Sequence, residues 1–201
     1  MDLTVLIEPR LDLVRLSQVL DEMGHEGRAH TLRTWGKKQQ AALFEGAAGF
    51  RKIGLDQFVP PGTAPLVEVI HELHNSLPLF VNSQKRFCKA APEGGSEPPG
   101  LLWGYNHQPW VAFTGPGYFV AAKSEVEGEV LFDYTRLPTS KPEGWPAIQP
   151  NSVRGGLLGG VTYGGMIDIV RALSTHVCIG RAKRGGKLAG MYFTLCRKDP
   201  G

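Results

Sequence analysis

His107 is the residue of this chain best suited by type and setting to chemistry. It ends a run, Leu101 to His107, in which Trp103, Tyr105 and His107 alternate onto one face, with Trp110 and Phe113 just beyond. An imidazole that titrates near neutrality beside an aromatic wall suits a small-molecule pocket, where it serves as general acid or base or as a polar anchor. The competing arrangement is a large aromatic core with a hydrogen-bonded histidine at its rim, since aromatic residues dominate ordinary cores. Asp133, Tyr134 and Arg136 cluster at the end of a second run. Arg154 and Arg181 could converge with them on an anionic group, because guanidinium favours planar, bidentate contacts. The ligand-binding set read from the chain is therefore Trp103, Tyr105, His107 and Tyr134 as a lining, with Arg136 or Arg181 holding a negative charge.

Other chemistry-bearing patterns are incomplete. His71 and His74 are three apart. On a helix they would share a side, on a strand they would oppose one another. The four-residue histidine offset of a zincin is missing, and a metal site needs three or four converging ligands, Glu68 and Glu72 being the nearby candidates. No resident metal and no cofactor is expected. The glycines from Gly159 to Gly165 precede Met166 as a phosphate loop would precede a helix, yet neither G-x-x-x-x-G-K-[ST] nor G-x-G-x-x-G occurs. Ser76, Ser83, Ser152 and Ser174 lack a nucleophile-elbow context. Cys88, Cys178 and Cys196 are odd in number and widely spaced, which reads as buried thiols rather than a disulfide framework.

The elements that must position these residues are clearest at the C-terminal end. Val177–Arg184 and Lys187–Cys196 flank Gly185-Gly186, a two-residue hairpin turn in which both positions need φ > 0. Arg184 should face Lys187, Gly180 should face Met191 and Cys178 should face Phe193. One face then carries Cys178, Gly180, Ala182, Ala189, Met191, Phe193 and Leu195. The other carries Val177, Ile179, Arg181, Gly190, Tyr192 and Thr194, so Cys178 and Cys196 fall on opposite sides. Met166, Ile169, Val170 and Leu173 recur at helical spacing, which predicts a helix before the hairpin that packs on its small, apolar face.

Upstream, Leu3–Ile7 reads as a short strand. Leu11–Met23, Arg28–Thr34 and Lys37–Ala48 read as helical pieces, stopped at Gly49. Leu66–Leu73 is ambiguous between strand and helix, and Leu79–Cys88 contains a further possible strand. Leu101–His107, Gly117–Ala122 and Glu129–Arg136 complete the strand candidates, the last with Val130, Phe132 and Tyr134 on one side. The expected fold is α+β: a mostly antiparallel sheet of about five to seven strands, N-terminal helices and one helix before the C-terminal hairpin. The expected organisation is one domain, with a helical part over about 1–49 and a sheet part over about 50–201. Residues 137–161 form a long connection with prolines at 138, 142, 146 and 150, which Trp145 and Ile148 could pin to the body.

Composition narrows the class. The 201 residues are 42% hydrophobic and 20% charged, an ordinary globular balance. No apolar run reaches the roughly 18–20 residues of a membrane span, and Asp2 and Glu8 do not suit a signal peptide. A cytoplasmic protein without membrane association is expected. Residues 1–48 carry six basic and seven acidic side chains, so nucleic-acid binding is not expected of the helices. Residues 171–201 carry seven basic and one acidic, with Lys183, Arg184 and Lys187 at the hairpin tip. Solvated charges commonly blunt a sheet edge, and an acidic protein partner is the other use of such a tip. The functional reading is a non-enzymatic module for a small, partly apolar ligand with an anionic group. The alternatives are an enzyme using His107 as general acid or base, and a protein-partner adaptor using the basic hairpin.

Overall fold

Alternation by two, rather than any helical period, organises the core of this protein. In the computed structural model, which describes residues 2–77, 81–91, 100–109, 111, 115–151 and 163–199, eight strands pair in chain order and the first meets the last to close a barrel. They are β1 (Val69–Asn75), β2 (Asn82–Lys89), β3 (Leu102–His107), β4 (Phe119–Lys123), β5 (Val130–Asp133), β6 (Met166–Ala172), β7 (Val177–Arg184) and β8 (Lys187–Arg197). Every pairing is antiparallel.

This overturns the α+β expectation. The sheet has eight strands, not five to seven, and it has no free edge because it closes on itself. The helix expected before the hairpin is strand β6. Met166, Asp168, Val170 and Ala172 are buried, alternating with partly exposed Ile167, Ile169 and Arg171. The same residues satisfy a helical spacing and a strand alternation. Ile167, Ile169 and Val170 are β-branched, and pairing on both sides with β5 and β7 decides for the strand. Leu3–Leu6, expected as a strand, is a short 3₁₀ turn capped by Asp2.

The terminal hairpin turns at Gly185 (φ 55°) and Gly186 (φ 79°), and Arg184 pairs with Lys187 as expected. Beyond the tip the partners differ: a bulge between Arg181 and Lys183 shifts the register by two, so Gly180 pairs with Phe193 and Cys178 with Leu195. A shift of two preserves the faces. Cys178, Ala182, Phe193 and Leu195 point into the barrel, where Phe58, Phe87, Phe119, Phe132 and Tyr134 share the core with them. Gly180 is required there, since a Cβ would lie 2.1 Å from the Phe193 ring.

No α-helix among the described residues packs on the hairpin's small, apolar face; the N-terminal helices pack on its other face instead. Helices α1 (Leu13–Glu22), α2 (His25–Leu32) and α3 (Lys37–Gly46) bury Leu16, Leu20, Leu32, Leu43 and Phe44 against Val177, Ile179, Tyr192 and Cys196 on the barrel's outside. Gly180 leaves room for the Phe193 ring of the paired strand. The larger residues on the hairpin's outer face receive the helices.

One end of the barrel is plugged by the segment entering β1. Phe58 is fully buried against Phe87 and Phe132, with ring centroids 5.3 and 5.1 Å away. Arg197 donates to the carbonyls of Asp56 (3.2 Å) and Gln57 (2.7 Å), Gln57 donates to the carbonyls of Ser174 and Thr175 (both 2.9 Å), and His71 Nε2 lies 2.9 Å from the Phe58 carbonyl. Burial pushes the His71 imidazolium pKa down to about 3. The unfolded chain takes up that proton near pH 6.5. Native His71 binds fewer protons throughout the interval between the two values, so stability rises with pH there. It is complete above about pH 6.5 and is lost as pH falls toward 3. Roughly 3 kcal/mol should disappear between pH 7 and pH 4 from this group. Urea midpoints across that range should fall steeply for the natural protein and much less for His71→Gln, which keeps a donor for Phe58. Equal slopes would place the acid sensitivity elsewhere.

Candidate functional site

Opposite the plug, side chains from six strands surround a cavity of about 250 Å³. Its walls include Leu73, Met166, Ala182, Met191 and Phe193, with the exposed Leu77 and Arg184 also lining it. Its polar lining is concentrated in Lys85, Asn106, Tyr134 and Asp168, with Gln108, Tyr163 and Ser83 beside them.

Strand register brings these four together. Lys85 pairs with Asn106 across β2 and β3, and Phe132 pairs with Asp168 across β5 and β6, one alternation below Tyr134. Lys85 and Asp168 form an ion pair at 3.3 Å with both side chains 3% exposed. Lys85 Nζ donates to Asn106 Oδ1 at 2.7 Å and to the Tyr134 hydroxyl. Tyr134 donates to Asp168 Oδ2 at 3.1 Å, and Asn106 Nδ2 donates to the Gly117 carbonyl at 3.0 Å. Gln108 donates to the Tyr163 hydroxyl at 3.1 Å, and the Tyr163 ring stacks on Tyr134 at 5.3 Å. The Lys85 ammonium is also ringed by the faces of Phe119, Tyr134 and Phe193 at 5.0, 5.1 and 5.1 Å.

Burial weakens the charged form of each partner in the Lys85–Asp168 pair. Burial is the largest influence on both partners: it lowers the Lys85 pKa and raises that of Asp168, while their mutual attraction opposes each shift. Burial and the neighbouring Asp168 hold the Tyr134 phenol well above its usual range. The cluster can therefore offer hydrogen-bond donors and acceptors, and it can pass a proton between Lys85 and Asp168. It sits where water is scarce, so each interaction is stronger than at a surface.

Of the six residues read from the chain as a ligand set, Tyr134 lines this cavity. Trp103 and Tyr105 lie on the outer side of β3, in a separate aromatic cluster with Tyr118 and Trp145. Trp145 and Ile148 do pin the long connection there: the Trp145 ring lies tilted against Tyr105 at 4.7 Å and its indole N–H donates to Glu68 at 2.5 Å. His107 is exposed at the rim of that cluster, 3.3 Å from the Tyr105 hydroxyl, its pKa lowered chiefly by partial burial and also by Arg86. Arg181 also points outward. It donates to Glu45 at 3.0 Å and to the Ala189 carbonyl at 2.9 Å, and covers the Tyr192 ring. Arg136 is exposed beyond β5 and is not among the cavity's lining residues. Trp110, Phe113, Ser152, Arg154 and the glycines at 155, 156, 159 and 160 lie outside the described residues. The phosphate-loop expectation also loses its helix, since Met166 opens a strand.

Asp168 is hidden in the sequence because Met166 to Leu173 also fits a helical spacing, and Lys85 and Asn106 are hidden for a different reason. Both faces of β3 are covered, the outer by Trp145 and the inner by the barrel core, so alternation did not say which face was interior. The bulky face, Trp103 and Tyr105, looked like a pocket wall. The signal lay on the other face: Leu102, Gly104 and Asn106 alternate toward the interior, as do Lys85 and Phe87 on β2. A lysine in phase with a buried phenylalanine is the anomaly that marks the site.

His71 and His74 are on opposite faces of β1, and no cluster of three or more metal-ligating side chains occurs among the described residues. No helix among them is long and apolar enough to cross a membrane. Comparison of the chain with known protein families, with curated proteins and with solved structures finds no match.

Proposed function

We propose that this barrel is a binding module for one small, largely apolar molecule whose single uncharged polar head seats on Lys85, Asn106, Tyr134 and Asp168. One observation carries the reading: a buried ion pair, hydrogen-bonded to Asn106 and Tyr134, lines a cavity whose remaining wall is largely apolar. A core assembled for stability alone has no use for it, since well-packed apolar side chains of equal volume are as stable or more so. A preformed apolar pocket with a few converging polar groups is the usual architecture of a small-molecule site. Its volume lies just below the roughly 300–1,000 Å³ of drug-sized pockets, which points to a smaller ligand. Asp168 beside Lys85 offsets that positive charge, so this part of the cavity suits an uncharged head better than the anionic one expected from the sequence.

Acetophenone, octanone and benzyl alcohol are suitable neutral probes, followed by saturation-transfer NMR. They should bind the natural protein and bind Met191→Trp at least tenfold more weakly, because the larger ring fills the cavity. Circular dichroism should show both proteins equally folded. Equal binding to both proteins would remove the cavity from the account. Failure of all three probes to bind the natural protein would overturn the neutral-ligand reading.

A further inference from the structure

The Lys85 amine is presented in an unusual way. It is buried and reachable from the cavity, and it stands beside a carboxyl and a phenol, each able to hold or release a proton within hydrogen-bond distance. We propose that Lys85 captures an aldehyde or ketone bound in the cavity as a reversible imine, with Asp168 and Tyr134 moving the protons. The inference rests on the small-molecule reading above and names the chemical class of the ligand.

The geometry supplies each component. Asp168 accepts one proton from the Lys85 ammonium and leaves a neutral amine with a free electron pair. That pair attacks the carbonyl carbon, a carbon–nitrogen bond forms, and the carbonyl π pair moves to oxygen. The nitrogen loses a proton through Asp168, and the oxygen takes one from the same carboxyl or from Tyr134, giving a carbinolamine. A second proton reaches that hydroxyl, the carbon–oxygen bond breaks and water leaves. The nitrogen then carries a double bond to the former carbonyl carbon. Two amine hydrogens and the carbonyl oxygen make up the released water, and no oxidant or reductant is involved.

Three features favour this over an inert structural pair. Burial lowers the Lys85 pKa and raises that of Asp168, both toward the neutral pair that the first step needs. Asn106 accepts from Lys85 at 2.7 Å and fixes the direction of the amine. The apolar wall excludes the water that would hydrolyse an imine. Exposed lysines such as Lys38 and Lys52, 82% and 91% exposed, have none of these supports.

Benzaldehyde with sodium cyanoborohydride at pH 7 tests the idea, since reduction converts any imine to a stable benzylamine that peptide mass mapping locates. Lys85 should be labelled at least tenfold faster than Lys38 or Lys52. Excess benzyl alcohol, which occupies the same cavity without forming an imine, should suppress that labelling and leave the surface lysines unchanged. The double variant Lys85→Met/Asp168→Leu should carry no adduct beyond the surface background. Labelling of Lys85 no faster than of Lys52, with benzyl alcohol still bound, would overturn the imine and leave the binding module intact. Absence of both benzyl alcohol binding and Lys85 labelling would overturn the two readings together. Because the mapping is done on the natural protein, the outcome does not depend on any variant folding.

Discussion

Replacing Lys85 with methionine should destabilise the protein by about 3–5 kcal/mol, the cost of leaving one member of a buried ion pair without its partner. Asp168 is 2% exposed, and in that variant its carboxylate keeps only the neutral Tyr134 hydroxyl among its present contacts. Asp168→Leu should cost a similar amount for the converse reason. The double variant Lys85→Met/Asp168→Leu should return to within about 1 kcal/mol of the natural protein or exceed it, because two apolar groups of similar volume need no pairing. Equilibrium urea unfolding of the four proteins gives the coupling directly. If the single changes cost less than about 1 kcal/mol each, water or another polar group already compensates the charges.

Phe87→Ala should be the most damaging single truncation in the core, at about 3–5 kcal/mol. The Phe87 ring lies 5.3 Å from each of Phe58, Phe119 and Phe132 and 4.9 Å from His71, so it joins the plug to three walls of the barrel. The hole left behind has aromatic rings on every side, and rigid rings relax poorly into a void. Phe87→Leu should cost less, about 1–2 kcal/mol, since it keeps much of the volume. Hydrogen exchange should then show residues 54–59 losing protection earlier than β6 or β7. A uniform loss would mean that the plug and the barrel unfold as one unit.

The terminal hairpin shows how much of the fold was legible in the sequence. Its turn, its tip pairing and the membership of both faces could be read from Gly185-Gly186 and the alternation around it. The bulge at Arg181/Lys183 moved the partners without moving the faces, and no residue type near it marks its place. β3, β4 and β5 and the three helices were also legible, because their patterns are local. β6 was not, since Met166 to Leu173 obeys two periods and only its neighbours choose between them. Closure was not legible at all. It depends on β1 meeting β8, a pairing without local signature, and it is closure that turns Lys85 and Asp168 toward one another. Of the site, Tyr134 alone was identified, by its alternation with Phe132 and Val130.

That closing pair has a kinetic meaning. Seven of the eight pairings join strands adjacent in the chain, while the eighth brings Glu72 to Cys196 across more than half its length. Local hairpins form quickly, and the distant pairing must wait for the entropy of a long loop to be overcome. The seam between β1 and β8 is therefore expected to zip last and to open first. An open seam presents two unpaired edges that a second copy could occupy. α2 lies across this seam: Ala29, Leu32 and Arg33 gather over Glu72, Leu73 and His74, and α2 also packs on β8. The N-terminal helices thus act as a latch on the ring. A chain shortened by them would keep every strand and still be prone to exchange its last one with a neighbour.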